Sequence, residues 1–330
     1  MQHRPLGRTG RDVSAIGLGT WQLGADWGDV SESDALAVLD ASVAQGVTLF
    51  DTADVYGDGR SDSLIGRFLA ARPGHAITVA TKMGRRVEQK AENYTPEAFR
   101  TWNDRSRANL GVDTLDLVQL HCPPTEVIES NLVYDALDAL VAEGRIAAYG
   151  VSVETVAQAL AAIERPHVTN IQIIFNPFRL KPLDEVLPAA ADAQVAVFAR
   201  VPLASGLLSG KYTAATTFAE NDHRSYNRHG EAFDRGETFS GVDYETGLAA
   251  ASELARAVPD GVTLPAATLA WIASQHGVTS VIPGARNVSQ ATSNAEAGAL
   301  LDTGVDLSGF DAAVHEVYDR HLREAIHPLW

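Results

Sequence analysis

The sequence predicts an α/β protein built as a (β/α)8 TIM barrel, with an N-terminal hairpin and an extra C-terminal helix. Three observations carry this. Short apolar, β-branched runs alternate with helical stretches eight times along 330 residues. The runs are nearly continuous in their hydrophobicity, as strands buried on both faces are. No linker-like stretch separates two halves, so residues 1–330 read as one domain. A doubly wound open sheet is the competing arrangement.

The elements follow in order. Residues 1–15, with a turn at Thr9-Gly10, form a hairpin closing the barrel floor. AIGLGTW (15–21) is the first strand, and Ser31 or Ser33 caps a helix over 31–45. VTLF (47–50) precedes a helix near 61–71, and ITVATK (77–82) one near 96–110. LDLVQLH (115–121) leads into a helix at 130–143 with Ser130 as its cap candidate. IAAYGVSV (146–153) and VTNIQIIF (168–175) lead into helices near 154–164 and 182–193. VAVFAR (195–200) is followed, after an insertion, by a helix near 244–257, and VTSVIPG (278–284) by one near 287–298. LPAATLAWIA (264–273) is too short to span a bilayer and reads as a core helix. A last helix near 308–324 lies outside the repeat. The stretch 211–245, rich in Gly, Asp and His, breaks the repeat and reads as a long lid insertion.

Composition bounds the function. Acidic residues number 42 against 26 basic, a net charge of −16, which argues against nucleic acid or an acidic membrane surface as a partner. The single cysteine, Cys122, leaves no intrachain disulfide and no Cys-rich zinc site. No His-x-x-x-His pair occurs either, so no metal is expected. The opening segment lacks the apolar run of a secretory signal, and no stretch approaches the roughly 18 apolar residues of a membrane span. A cytoplasmic protein is the expectation.

In such a barrel the active site sits at the C-terminal strand ends. Those ends are Thr20-Trp21, Asp51, Lys82, His121, Ser152, Gln172 with Asn176, Arg200 and Gly284–Arg286. Asp51, Lys82 and His121 close three consecutive strands, and Tyr56 follows Asp51 in FDTADVYG. Singly, each has an ordinary reading: a strand-end carboxylate, a solvated lysine, a core histidine, a ring packed under a loop. Together they describe carbonyl reduction. A phenol with a free pKa of about 10 is a poor acid at neutral pH. An ammonium beside it lowers that value, and a carboxylate holds the ammonium in place. Tyr56 then protonates a developing alkoxide, Lys82 tunes it, Asp51 orients Lys82, and a neutral His121 orients the carbonyl oxygen. The scheme lacks only a hydride source.

The motifs GLGTW (17–21), FDTADVYG (50–57), ATKMG (80–84), LVQLHCPP (117–124), GRIAAYGVSV (144–153), PLASGLLSGKY (202–212) and SVIPGARNVSQATSN (280–294) cover nearly the whole chain. With them it resembles the aldo-keto reductases, NADPH-dependent (β/α)8-barrel carbonyl reductases. The resemblance implies a catalytic tetrad of Asp51, Tyr56, Lys82 and His121, with hydride from a nicotinamide. It implies that Ser152 and Gln172 hold the carboxamide. Pro202, Leu203, Ser205 and Gly206 would approach the pyrophosphate, with Lys211 beside them. Gly284, Arg286, Gln290 and Asn294 would surround the adenosine 2′-phosphate and adenine. Gly19, Thr20, Trp21 and Asp51 complete the expected cofactor contacts.

Two departures stand out. Ser152-Val153 replaces the Ser-Asn common in the family, and Arg200-Val201 stands where an aromatic residue usually stacks on the nicotinamide. A planar guanidinium can itself stack on a ring. Arg286 at a helix start suits a 2′-phosphate, so NADPH is expected rather than NADH. The expected partner is a small-molecule carbonyl substrate, sugar-, inositol- or polyol-derived, with terpenoid and steroid ketones open. Trp21, Trp27, Tyr56, His121, Arg224 and Tyr226 are its candidate contacts, with His223 and His229 beside them. The alternatives are a cofactor-sensing regulatory subunit with little turnover and a metal-dependent barrel isomerase.

Overall fold

Eight short parallel strands bring the strand-end candidates Asp51, Lys82, His121, Ser152, Gln172 and Arg200 to one end of a cylinder. The structure is a computed structural model that describes residues 1–24 and 30–330, so Trp27 lies outside the described residues. Strands β1 (His3–Pro5) and β2 (Asp12–Ser14) pair antiparallel as the expected hairpin. The parallel strands are β3 (Leu18–Gly19), β4 (Leu49–Asp51), β5 (Thr78–Met83), β6 (Leu117–His121), β7 (Tyr149–Ser152), β8 (Val168–Ile174), β9 (Ala196–Arg200) and β10 (Ser280–Val281). They neighbour one another in chain order. Parallel bridges Ile16–Val281 and Gly19–Gly284 join the last strand to the first. There the Val281 amide donates to the Ala15 carbonyl at 2.9 Å and the Gly17 amide to the Val281 carbonyl at 2.8 Å. Closure of this kind leaves no exposed sheet edge.

The barrel interior is layered. At the floor, Leu6 and Val13 of the hairpin pack with Leu49, Ala80, Leu117, Ala196 and Phe198. Above them sits a polar layer with Gln119 and Asn170 fully buried. Asn170 Nδ2 donates to Gln119 Oε1 at 3.2 Å, and Gln172 Nε2 donates to the same oxygen at 3.2 Å and to Asp51 Oδ1 at 2.7 Å. This layer therefore supports the site from beneath. Gly150 on β7 makes room for it, because a Cβ there would overlap Asn170 Oδ1 and crowd its carbonyl oxygen. Gly150→Ala is expected to destabilise the protein by about 1–3 kcal/mol through overpacking. Urea unfolding of the two proteins measures this, and an unchanged midpoint would show that the layer yields.

The outer helices start where the sequence signals them. Ser31, not Ser33, accepts from the Asp34 amide and opens helix Glu32–Ala44. Thr95 opens Pro96–Leu110, and Thr155 forms a capping box with Gln158 ahead of Val156–Ile163. Ser130 makes no side-chain cap. It instead joins the end of a short helix, Thr125–Glu129, to the start of Asn131–Ala142. The seventh unit also differs from expectation. Helix Leu264–Ser274 precedes β10 and packs on Val288–Thr303, whereas Tyr244–Ala255 lies against the C-terminal helix Ser308–His321. The reason is composition: eight residues of Leu264–Ser274 are buried, and a helix apolar on nearly all sides must sit between layers.

The insertion 211–245 is packed rather than open. It contains helix His223–Tyr226 and single turns at Arg235–Glu237 and Phe239–Gly241. Asp222, His223, Arg224, Asn227, Glu237, Thr238 and Ser240 are all buried. No helix among the described residues is long and apolar enough to cross a membrane.

Candidate active site

Because β4, β5 and β6 are adjacent and parallel, their last residues share one rim. Lys82 Nζ donates to Asp51 Oδ2 at 2.6 Å, to the Thr52 carbonyl at 3.0 Å and to Tyr56 Oη at 3.3 Å. Lys82 and Asp51 are 1% and 3% exposed, so this ion pair is shielded from water. The His121 ring meets the Tyr56 ring edge-on, with centroids 6.0 Å apart. The four residues singled out from the sequence thus share one cluster.

Burial sets their charge states. It pushes the Tyr56 hydroxyl above the ordinary tyrosine range; Lys82 pulls it down, but less strongly. The expectation that Lys82 would lower this pKa therefore gives way to desolvation, and the resting group is a neutral phenol. Burial also pulls Lys82 down, yet Asp51 and Tyr56 outweigh it and the ammonium is favoured. Burial, then Arg85, Lys82 and Arg200, hold His121 well below the usual histidine range, so its imidazole is neutral.

These residues open onto a cavity of about 500 Å³. Gly19, Thr20, Trp21, Asp51, Tyr56, His121, Ser152, Gln172 and Arg200 line its inner part. Pro202, Leu203, Ser205, Gly206, Lys211, Gly284, Arg286, Gln290 and Asn294 line its length. Arg224 reaches it from the insertion, bonded to Asp222 Oδ1 at 2.8 Å and to the Tyr212 hydroxyl. Tyr226 lies off the wall with its ring edge-on to Phe233, and His229 is exposed. His223 is buried against the Trp21 ring at 4.9 Å. Asn176 faces away from the cavity and holds the Val201 carbonyl at 2.8 Å and Ser240 Oγ at 2.7 Å.

Arg200 is oriented by the wall behind it. Its Nη2 donates to the Val153 carbonyl at 3.2 Å and its Nη1 lies 3.7 Å from Glu237 Oε1. Val201 follows with φ 53°, a strained value for a β-branched residue. Burial and the carboxylate's neighbours oppose each other at Glu237, and Arg85 with Arg200 keeps it ionised. The guanidinium charge beside the cavity is thereby balanced.

Several cavity residues carried no sequence signal. Gln22, Phe218 and Glu237 line the cavity too, as do Tyr212, Ser289 and Ser293, which lie within the quoted motifs but receive no role from them. Arg85 stands behind His121, outside the cavity lining, and its only hint was the GRR run at 84–86 just past Lys82. Its Nη1 donates to Glu237 Oε1 at 2.8 Å and lies 3.4 Å from His121 Nε2. Cys122, Glu154 and Glu237 bring their ligand atoms within 4.8 Å of one another, but Arg85 and Arg200 already pair with these carboxylates. Burial and then the charge of Asp62 raise Asp54 to about 7, and burial raises Asp62 to about 6.

The donor set along the cavity fits a dinucleotide. Lys211 and Arg286 are exposed cations on its rim, and Gln22 Oε1 is a buried acceptor without a partner inside it. Ser205 (φ 52°) and Gly206 (φ 98°) turn the backbone where a Cβ on Gly206 would strike the Tyr212 hydroxyl. The 16-residue helix Val288–Thr303 opens against the same wall, capped by Asn287. Helix starts offer unpaired amides to anions.

Comparison with known proteins bears on the family and the fold. A profile of the aldo/keto reductase family matches residues 15–307. The uncharacterized oxidoreductase YqkF of Bacillus subtilis is 29% identical over 309 residues, covering 90% of this chain and 91% of its own. The aldo-keto reductase yakc [NADP(+)] of Schizosaccharomyces pombe is 30% identical over 327 residues, 95% of this chain and 90% of its own. Among solved structures, the glycerol dehydrogenase AKR11B4 from Gluconobacter oxydans superposes with a TM-score of 0.77 at 30% identity, covering 97% and 96%.

Proposed function

The chain belongs to the aldo/keto reductase family, and from that premise we propose that it reduces an aldehyde or ketone to an alcohol, reversibly, with NADPH. The observation that carries this reading is the buried Asp51–Lys82–Tyr56 chain beside a neutral His121 at the mouth of the cavity. A reduced nicotinamide, when bound, supplies the hydride to the carbonyl carbon. Tyr56 gives its proton to the carbonyl oxygen, and the Lys82 ammonium stabilises the phenolate left behind. Asp51, held by Gln172 at 2.7 Å, keeps Lys82 aimed at the hydroxyl. Trp21, stacked on Tyr56 at 6.0 Å, shields the reacting oxygen from water.

Ser152 and Gln172 hold the carboxamide in this reading, and Leu203–Gly206 with Lys211 the pyrophosphate. Arg286, Gln290 and Asn294 hold the adenosine end. We read residues 1–330 as one barrel domain, with 211–245 folding over the cavity. The polar insertion and the glycerol dehydrogenase among similar structures support a polyol-derived carbonyl as substrate.

A panel of aldehydes, ketones and alcohols with NADPH or NADP⁺, followed at the nicotinamide absorbance, tests the reading. Tight NADPH binding without turnover on any of them would favour a cofactor-sensing subunit instead. Arg286→Ala is expected to weaken NADPH about 10- to 100-fold, the loss of one charge-assisted phosphate contact, and to leave NADH nearly unchanged. Equal weakening of both would remove Arg286 from the 2′-phosphate.

A further inference from the structure

Gln22 lines the cavity, yet its Oε1 is buried without a hydrogen-bond partner among the described residues. An acceptor withdrawn from water and left unpaired is costly to the fold. Its amide rests over Gly284, just past the end of β10. A Cβ at that glycine would stand 2.1 Å from Gln22 Oε1, 2.2 Å from Nε2 and 2.3 Å from Cδ. Only glycine at 284 therefore leaves room for the amide in this place.

The backbone beneath Gln22 is fixed against the catalytic cluster. Gln22 lies on the single turn Trp21–Gly24 that follows β3. The Leu23 amide donates to the Thr20 carbonyl at 3.0 Å, and Arg60 Nη1 donates to the Leu23 carbonyl. A Cβ on Gly24 would lie 2.6 Å from the Tyr56 carbonyl carbon, so the turn sits directly on the Tyr56 segment. An amide held this way is oriented before any ligand arrives, which spares the ligand that ordering cost.

The chemistry of the orphaned atom selects its partner. A carbonyl oxygen needs a donor. Diphosphate oxygens at neutral pH only accept, so they cannot satisfy it. The amino groups of the carboxamide and of adenine belong to the two ends of a bound dinucleotide. Sugar hydroxyls remain, and Gln22 stands on the nicotinamide side, next to Trp21, whose ring stacks on Tyr56 at 6.0 Å. We propose that Gln22 is a further cofactor-binding residue, whose Oε1 accepts from a hydroxyl of the nicotinamide-side ribose. The proposal rests on the reading of the cavity as a nicotinamide dinucleotide site. Gln22 thereby fixes the sugar that carries the hydride-donating ring, and it takes no part in telling NADPH from NADH.

Calorimetric titration of the full chain with NADPH, NADH and 2′,5′-ADP tests this. Gln22→Met keeps the length of the side chain and removes its polar atoms. It is expected to weaken NADPH and NADH alike, about 5- to 20-fold, by leaving a ribose hydroxyl unpaired. Binding of 2′,5′-ADP, which lacks the nicotinamide and its ribose, should stay within about twofold. Urea unfolding of the cofactor-free variant should give a midpoint no lower than that of the wild type, because the unpaired acceptor is gone. Saturating NADPH should then raise that midpoint less than it does in the wild type. An NADPH affinity within about twofold of the wild type overturns the proposal. So does 2′,5′-ADP weakened as much as NADPH, which would move Gln22 to the adenosine end. A lowered midpoint in the cofactor-free variant overturns it too, by making the amide a structural group. Failure of the underlying reading shows itself differently, as a wild type that binds none of the three nucleotides, and takes this proposal with it.

Discussion

Tyr56→Phe is expected to lower turnover by about 10²- to 10⁴-fold, the contribution of a positioned general acid. The fold should hardly notice. Lys82 keeps its bonds to Asp51 at 2.6 Å and the Thr52 carbonyl at 3.0 Å, so no buried charge is stranded. The ring still stacks on Trp21 and meets His121. NADPH quenching measured beside kcat separates chemistry from binding, and unchanged turnover would remove Tyr56 from the proton-donor role. The pH profile offers a second check. Since burial outweighs Lys82 and raises the Tyr56 pKa, the phenol persists through the ordinary tyrosine range in the cofactor-free protein. The alkaline limb of reduction should therefore not begin near neutrality on account of Tyr56.

Lys82→Met should be the most damaging single change to stability. It leaves the Asp51 carboxylate 3% exposed, with Gln172 and Gln119 as its remaining side-chain donors among the described residues. Breaking a buried ion pair by removing one partner costs about 3–5 kcal/mol. Adding Asp51→Asn to Lys82→Met should regain part of that loss, because the stranded charge goes with it. Urea unfolding of the four proteins of this cycle gives the coupling energy, and simple additivity would show that the pair is not coupled. The pH dependence follows from sign. The folded-state pKa of Lys82 lies above its ordinary value, because Asp51 and Tyr56 outweigh burial. The pair's stabilisation is thus complete below the ordinary lysine range and is lost as pH rises through the folded value.

Much of this site is legible in the chain because a parallel barrel maps sequence onto space simply. Every strand must end on the same rim, so Asp51, Lys82 and His121, each closing a run, converge by topology alone. Ser152, Gln172 and Arg200 follow for the same reason. Asn176 breaks the rule. One further turn of chain carries it past the rim, where it secures Val201 and Ser240 instead of facing the cavity. Tyr226 could not be placed by periodicity either, since the insertion has none.

By itself, then, the sequence determined the eightfold alternation, the direction of every strand and the order of polar side chains at their ends. These follow from local hydrophobic period and from the rule that parallel strands share one C-terminal face. Only the tertiary structure decided what lies between those ends. It put the apolar helix Leu264–Ser274 in the inner shell and Tyr244–Ala255 outside. It closed the barrel through Ala15 and Val281, and it brought Glu237 across 152 residues to Arg85. It also decided that burial outweighs Lys82 at Tyr56. Such outcomes depend on how much water and charge surround a group after packing, and no spacing along the chain encodes that.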